Sequence, residues 1–176
     1  MSVKGVRFRI SRAVSASQPS TSRISRQRFD YVEGRHDGYE RLPTPVTHTR
    51  DILFLKHDYF LVRDRVVSKQ RHRYDLWFHL ETNCSLTLDG STARCQEEDY
   101  AGLEITTFGG SGRWQREEAP VSHCYGEKAQ GPVCVFSKEA ASGEFVSFLM
   151  PLAGQGISPA ELREVETIGG RAFEVI

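Results

Sequence analysis

From Asp51 onward the chain repeats one device: a short run of β-branched, aromatic and aliphatic residues, then turn chemistry, then another short run. Runs this brief are shorter than ordinary helices, and their composition suits a pleated sheet. Ile52-Leu53-Phe54-Leu55, then Lys56-His57-Asp58, then Tyr59-Phe60-Leu61-Val62 predicts a hairpin with a three-residue turn. In the segment Tyr74 to Leu80 the side chains of Tyr74, Leu76, Phe78 and Leu80 fall on one face at period two, so that face is predicted to be core. Leu86 and Leu88, the turn at Asp89-Gly90, and Thr92 to Cys95 predict a second hairpin, because Asp-Gly accepts the backbone angles of a tight turn.

Leu103, Ile105 and Thr107 alternate with Glu104 and Thr106, and Val133 to Phe136 and Phe145 to Met150 read as two further strands, the second stopped by Pro151. Leu162 to Ile168 and Ala172 to Ile176 would close the sheet through Gly169-Gly170. Only Ser158-Pro159-Ala160-Glu161 suggests a helical turn, with serine as N-cap and proline in the first position. The expected fold is all-β: an antiparallel multi-stranded β-sandwich of layered type, with one short helical turn near the C-terminus.

Charge divides the chain. Lys4, Arg7, Arg9, Arg12, Arg23, Arg26 and Arg28 all precede Asp30, the first acidic residue, although the whole sequence is neutral. A basic arm of this kind attracts polyanions: nucleic acid, an anionic membrane surface or an acidic polysaccharide. An acid-free, Arg- and Ser-rich start is also the composition of a transit peptide. Yet Val6, Phe8 and Ile10 alternate with Arg7 and Arg9, the pattern of an edge strand and not of an amphipathic helix. Residues 1–13 are therefore read as a basic leading strand, 14–27 as a flexible Ser- and Pro-rich loop, and 28–176 as one β-sandwich domain. No apolar stretch is long enough for a membrane helix, and none resembles a secretory signal, so neither membrane association nor export is expected from the sequence. No nucleic-acid motif accompanies the basic arm, which ranks that partner low.

The four cysteines, Cys84, Cys95, Cys124 and Cys134, lack the close spacing of a structural zinc site. Cys84 and Cys95 flank a predicted hairpin and could be bridged under oxidising conditions, but buried free thiols are the plainer expectation. His48, His72 and His79 offer no closely spaced chelating pair, and His79 is expected to be a solvated strand histidine. His123 beside Cys124 invites a nucleophile reading, but neighbours on a strand point to opposite faces. Gly109, Gly110 and Gly112 precede no helix, so a turn is expected in place of a phosphate loop. No metal ligand and no cofactor site is assigned.

Taken in order, several strings resemble the C-terminal β-domain of the heparinase II/III-like polysaccharide lyases, a group related to alginate and oligoalginate lyases. They are Phe8-Arg9-Ile10 with Arg12-Ala13; Glu33-Gly34-Arg35-His36-Asp37-Gly38-Tyr39; His48-Thr49-Arg50 before Ile52-Leu53-Phe54; Tyr59 to Asp64; His72-Arg73-Tyr74 running into Phe78-His79-Leu80; Val121 to Gly126; and Phe148-Leu149-Met150-Pro151. Their order and spacing carry the resemblance over nearly the whole chain.

The resemblance implies a helical toroid paired with a layered antiparallel sheet, and β-elimination of uronate-containing polysaccharides such as glycosaminoglycans or alginate. That reaction neutralises the uronate carboxylate, removes the C5 proton and protonates the O4 leaving group, so it needs cationic or hydrogen-bonding groups and a poised Tyr or His. The family's tyrosine comes from the toroid. The family β-domain's own histidine strings, similar to HGHxD and HNT, would precede residue 1 and do not occur in this sequence, whose only asparagine is Asn83. The resemblance therefore assigns no catalytic residue and no zinc ligand here. It implies a chain inactive alone that works with a helical toroid in trans or belonged to a longer enzyme, in a family commonly found in the periplasm. The alternative is a stand-alone carbohydrate-binding module for acidic polysaccharide.

The tightest polar constellation is His36, Asp37 and Tyr39. It reads structurally as a turn at Gly38 with Asp37 bonding local backbone and Tyr39 packing its ring, and functionally as a contact facing a cleft. Arg35 and Arg41 flank it and suit bidentate pairing with a uronate or sulfate. Arg35, His36, Tyr39 and Arg41 are the candidate substrate contacts.

Overall fold

The computed structural model describes residues 6–8, 21–56, 58–96, 102–122, 124–152, 162–167 and 170–175. All regular structure among them is β. The strands are β1 (Val6–Phe8), β2 (Thr21–Ser25), β3 (Phe29–His36), β4 (Val46–Leu55), β5 (Phe60–His79), β6 (Ser85–Asp89), β7 (Thr92–Gln96), β8 (Gly102–Phe108), β9 (Arg113–Val121), β10 (Ala129–Leu152), β11 (Leu162–Thr167) and β12 (Gly170–Val175).

A 10-stranded sheet runs β2-β3-β4-β5-β10-β8-β7-β6, with β1 beside β5 and β9 beside β10. Two long antiparallel strands, β5 and β10, organise it. The first half of β5 pairs with β4 and the second half with β1, while β9 flanks the first half of β10 and β8 its second half. The β5–β10 register shifts between Ala140 and Ser142, where the Tyr74 hydroxyl donates to the Ala141 carbonyl at 3.0 Å. A bulge bends a strand and leaves a backbone group unpaired, so this hydrogen bond satisfies the irregular carbonyl at the bend. The two halves of the sheet contribute to one core.

That core contains Tyr74, Leu76, Phe78 and Leu80, all buried as the period-two pattern predicts. Phe136 lies before the bulge and Phe145 after it, with their rings edge-on at 6.3 Å; Trp114 meets Phe136 at 5.2 Å and Phe78 at 5.8 Å. Edge-to-face packing of this kind adds about 0.5–1.5 kcal/mol per pair to the burial of the rings themselves. The glycine turn is part of the same packing. A Cβ at Gly109 or Gly112 would run into the Phe136 ring, and Gly110 has φ of 72°. Three of the four residues between β8 and β9 are glycine, because an aromatic ring leaves no room at Gly109 and Gly112 and a left-handed turn is required at Gly110.

The structure changes several expectations. Thr21–Ser25, placed in the flexible 14–27 segment, is strand β2 and pairs with β3. Ser22, Arg23, Ile24 and Ser25 are exposed and Ile24 is the one apolar residue among them, so no apolar run marks the strand, and its pairing comes from the neighbouring edge. β1 is a strand as expected, but it pairs with β5 in parallel. The two strands expected at Val133–Phe136 and Phe145–Met150 are one strand, and β5 likewise runs through Lys69–Arg71 without a break. Both intervening stretches are polar, because they lie at the bend. Pro151 does not stop β10, which extends to Leu152 opposite Gly102. Past Leu149 the strand has lost β5 as a neighbour, so a residue without an N–H is tolerated there.

Strand β9 was not expected at all, since its buried residues Trp114 and Ala119 stand five apart among charged neighbours and pack into different clusters, so no period-two pattern marks it. The C-terminal hairpin β11–β12 forms a 2-stranded sheet of its own and does not close the main one. The predicted helical turn at Ser158 to Glu161 lies outside the described residues, as do His57 and His123. Cys84 and Cys95 form a disulfide across the β6–β7 hairpin, their Cα atoms 5.6 Å apart, in place of the free thiols expected. Cys124 and Cys134 are free, exposed and buried respectively.

Candidate functional site

Cross-strand pairing decides which side chains share a face, because opposed residues in neighbouring strands project to the same side. His36 of β3 lies opposite His48 of β4, Gly34 opposite Arg50, and Arg50 opposite Asp64 of β5. The same face carries Val46 and Val66, which belong to the core. The polar cluster therefore occupies the core-lining face where the apolar packing gives out.

Asp64 is the anchor. Its side chain is 2% exposed and takes a fork from Arg50, Nε to Oδ1 at 2.7 Å and Nη2 to Oδ2 at 2.9 Å, together with His48 Nε2 against Oδ1 at 2.6 Å. Burial alone would push its carboxyl up. The His48 hydrogen bond and the Arg50 charge outweigh burial and hold it below the usual carboxylate range, so Asp64 is an anion at neutral pH. Its geometry fixes the Arg50 guanidinium, whose Nη1 has no hydrogen bond among the described residues.

The β3–β4 connection brings Tyr39 to this cluster. The Glu40 N–H donates to the Asp37 carbonyl at 2.9 Å, and the Gly38 N–H donates to His36 Nδ1 at 3.2 Å. The His36 ring thus supports the turn through Nδ1, which accepts that hydrogen bond. A side chain on Gly38 would strike that ring. Tyr39 sits 5.0 Å from His36, ring to ring, and packs against the core. Burial raises the Tyr39 phenol above its ordinary value, while Arg50 and Arg41 pull it back down. The phenol therefore feels two guanidinium charges and keeps its proton at neutral pH. The arrangement presents cations and O–H or N–H donors together, which suits an anion.

Of the candidate contacts read from the sequence, His36 and Tyr39 come together ring to ring, and exposed Arg41 is close enough for its charge to act on the Tyr39 phenol. Arg35 does not: it projects from the opposite face, opposite Thr49, and is paired with Glu40. Arg50 and Asp64 were missed as site residues, although the hairpin Ile52 to Val62 already implied their pairing. A turn at Lys56 to Asp58 aligns Leu55 with Tyr59, and counting back from there sets Arg50 against Asp64. His72 is buried and bonded to Ser68 Oγ at 3.0 Å, and His79 is exposed and stacked on Trp77, so neither joins His48. Among the described residues no three His, Cys, Asp or Glu side chains gather as a metal site. No helix among them is long and apolar enough to cross a membrane.

Comparison with known proteins agrees with this architecture. The family model described as heparinase II/III-like, C-terminal, matches residues 2–143. The chain belongs to the heparinase II/III-like C-terminal family. Among curated proteins it is 28% identical over 123 residues to a heparin-sulfate lyase of Pedobacter heparinus, covering 66% of this chain and 19% of that enzyme. The crystal structure of heparan sulfate lyase HepC from Pedobacter heparinus superposes with a TM-score of 0.74 at 20% identity, covering 89% of this chain and 28% of that one. A heparinase III crystal structure does so at 0.66 and 12% identity, covering 88% and 27%. These likenesses show a shared fold. The chain spans about a fifth of the length of the curated heparin-sulfate lyase it matches.

Proposed function

We propose that this domain is the β-sheet part of a lyase acting on uronate-containing acidic polysaccharide by β-elimination, and that it supplies sugar contacts while the proton-transfer groups come from a helical toroid. The observation that carries the reading is that buried Asp64 fixes the Arg50 guanidinium on the face that also carries His36 and His48, with the Tyr39 ring 5.0 Å from His36. An elimination at C5 builds negative charge on the uronate carboxylate, and preorganised guanidinium groups favour that charge without reorganising. The same groups would hold a carboxylate or sulfate in the ground state, so the domain has affinity for the polymer before it has chemistry. Family membership and the heparin-sulfate lyase relative support the substrate class.

No catalytic role is given to His36 or Tyr39. The His36 Nδ1 is committed to the Gly38 amide, and the raised phenol is a donor and not a base. The test has two arms. The purified chain mixed with heparan sulfate, hyaluronan or alginate is expected to show calorimetric binding at low salt and no rise in the ultraviolet absorbance of unsaturated uronate. Adding a separately expressed piece of a related lyase that carries both the helical toroid and the histidine strings is expected to produce that rise. Elimination by the chain alone would overturn the division of labour. Absence of binding to every acidic polysaccharide would overturn the substrate reading.

A further inference from the structure

On the site-bearing face, β3 carries Val32, Gly34 and His36, aligned with Ile52, Arg50 and His48 of β4. A Cβ at Gly34 would meet nothing within 4 Å among the described residues, and the backbone there is not left-handed. This glycine is therefore neither a turn device nor a close-packing device. It leaves a gap in the surface between side chains two residues apart on either side, which along a strand are separated by about 7 Å on each flank. A gap of that width accepts a single six-membered ring.

The walls of the gap differ in chemistry. Val32 and Ile52, opposite one another and half-buried, form an apolar floor on one side. Arg50 and His36 stand on the other. Arg23 of β2 lies opposite Val32 and is exposed, so a second guanidinium reaches the same rim. Ser25 and Asp30 of the neighbouring pair are hydrogen bonded at 2.6 Å, which confirms that these β2 and β3 side chains project together. The opposite face is different. There Arg35, Arg63 and Arg65 are engaged by Glu40, Glu144 and Glu33 or Asp51. Arg50 is held by Asp64 with one nitrogen unbonded, and Arg23 has no ion pair among the described residues. Guanidinium groups beside an apolar strip, Arg50 oriented by Asp64 with one nitrogen left over and exposed Arg23 near Asp30, complement a pyranose ring with a carboxylate or sulfate, since its C–H face is apolar and its substituent anionic.

We propose that the open gap above Gly34 seats one ring of an acidic sugar, its carboxylate or sulfate held between Arg50 and Arg23 and its C–H face against Val32 and Ile52. This subsite rests on the acidic-polysaccharide reading above and extends it along the face from Tyr39 toward β2. Filling the gap is the direct test, because a Cβ at Gly34 meets nothing within 4 Å among the described residues and a larger side chain grows from there into the proposed seat.

Calorimetric titration of the 176-residue chain with a heparan sulfate hexasaccharide at low salt, alongside a neutral hexasaccharide and inorganic sulfate, reads the outcome. Wild type and Gly34→Ala are expected to bind the acidic oligosaccharide alike, Gly34→Trp about ten-fold or more weakly with an unchanged melting temperature, and the neutral sugar not at all. If wild type binds and folded Gly34→Trp binds equally well, the subsite is wrong and the substrate reading stands. If wild type binds no acidic oligosaccharide, both fall. Equal binding of inorganic sulfate and hexasaccharide, both lost together in Gly34→Trp, would reduce the site to an anion site and overturn the sugar seat. Should Gly34→Trp not fold, Arg23→Gln decides: an affinity about three-fold or more below wild type supports the subsite, and wild-type affinity overturns it.

Discussion

Replacing Asp64 by Asn removes one charge from the centre of the candidate site while keeping its volume. The carboxylate is 2% exposed and accepts three charge-assisted hydrogen bonds, two from Arg50 and one from His48. Such bonds contribute about 1.5–3 kcal/mol each, and breaking a buried ion pair by removing one partner costs about 3–5 kcal/mol. The Arg50 side chain is 22% exposed and His48 13%, so both recover some water, which places the cost near the low end, about 3 kcal/mol. For a domain of this size that corresponds to a melting temperature lower by roughly 6–12 °C.

The pH dependence gives an independent check. The folded carboxyl lies below its ordinary value of 3.8, so its stabilisation is fully present above the unfolded value and is lost as pH falls through the folded one. The gap between wild type and Asp64→Asn is expected to be constant from about pH 6 to 8 and to narrow below about pH 4. Urea denaturation across that range measures it. A variant within about 0.5 kcal/mol of wild type at pH 7, or a gap that does not narrow in acid, would refute the anchoring role given to Asp64.

Two further outcomes test the packing and the redox state. Thiol titration of the denatured chain is expected to find two free thiols before reduction and four after, while the folded chain reacts only at exposed Cys124, because burial pushes the Cys134 thiol up to about 12; replacing Cys84 and Cys95 by Ser is expected to cost about 2–3 kcal/mol by chemical denaturation. Gly112→Ala places a methyl group into the Phe136 ring and is expected to destabilise by about 1–3 kcal/mol, whereas Gly34→Ala, facing open space, stays within about 0.5 kcal/mol of wild type.

The sequence by itself determined the strands that bury one face. The alternation of Tyr74, Leu76, Phe78 and Leu80 reports directly which side meets the core, and Asp89-Gly90 marks a turn through its local backbone preference, with Gly90 at φ of 54°. The motif strings between Phe8 and Met150 likewise pointed to the family that the match over residues 2–143 establishes. His36, Tyr39 and Arg41 could be grouped from the sequence because they are neighbours in the chain. Tertiary structure alone decided how the long strands divide between two sets of partners, because the polar stretch from Ser137 to Gly143 looks like a loop until a bulge and the Tyr74 hydroxyl account for its backbone. It also decided the membership of the site. Arg35 is one residue from His36 and yet turns to the other face, while Arg50, fourteen residues from Asp64, grips its carboxylate. A strand sends adjacent side chains apart and a sheet brings distant ones together, so sequence proximity fixes a neighbourhood and register fixes the partners.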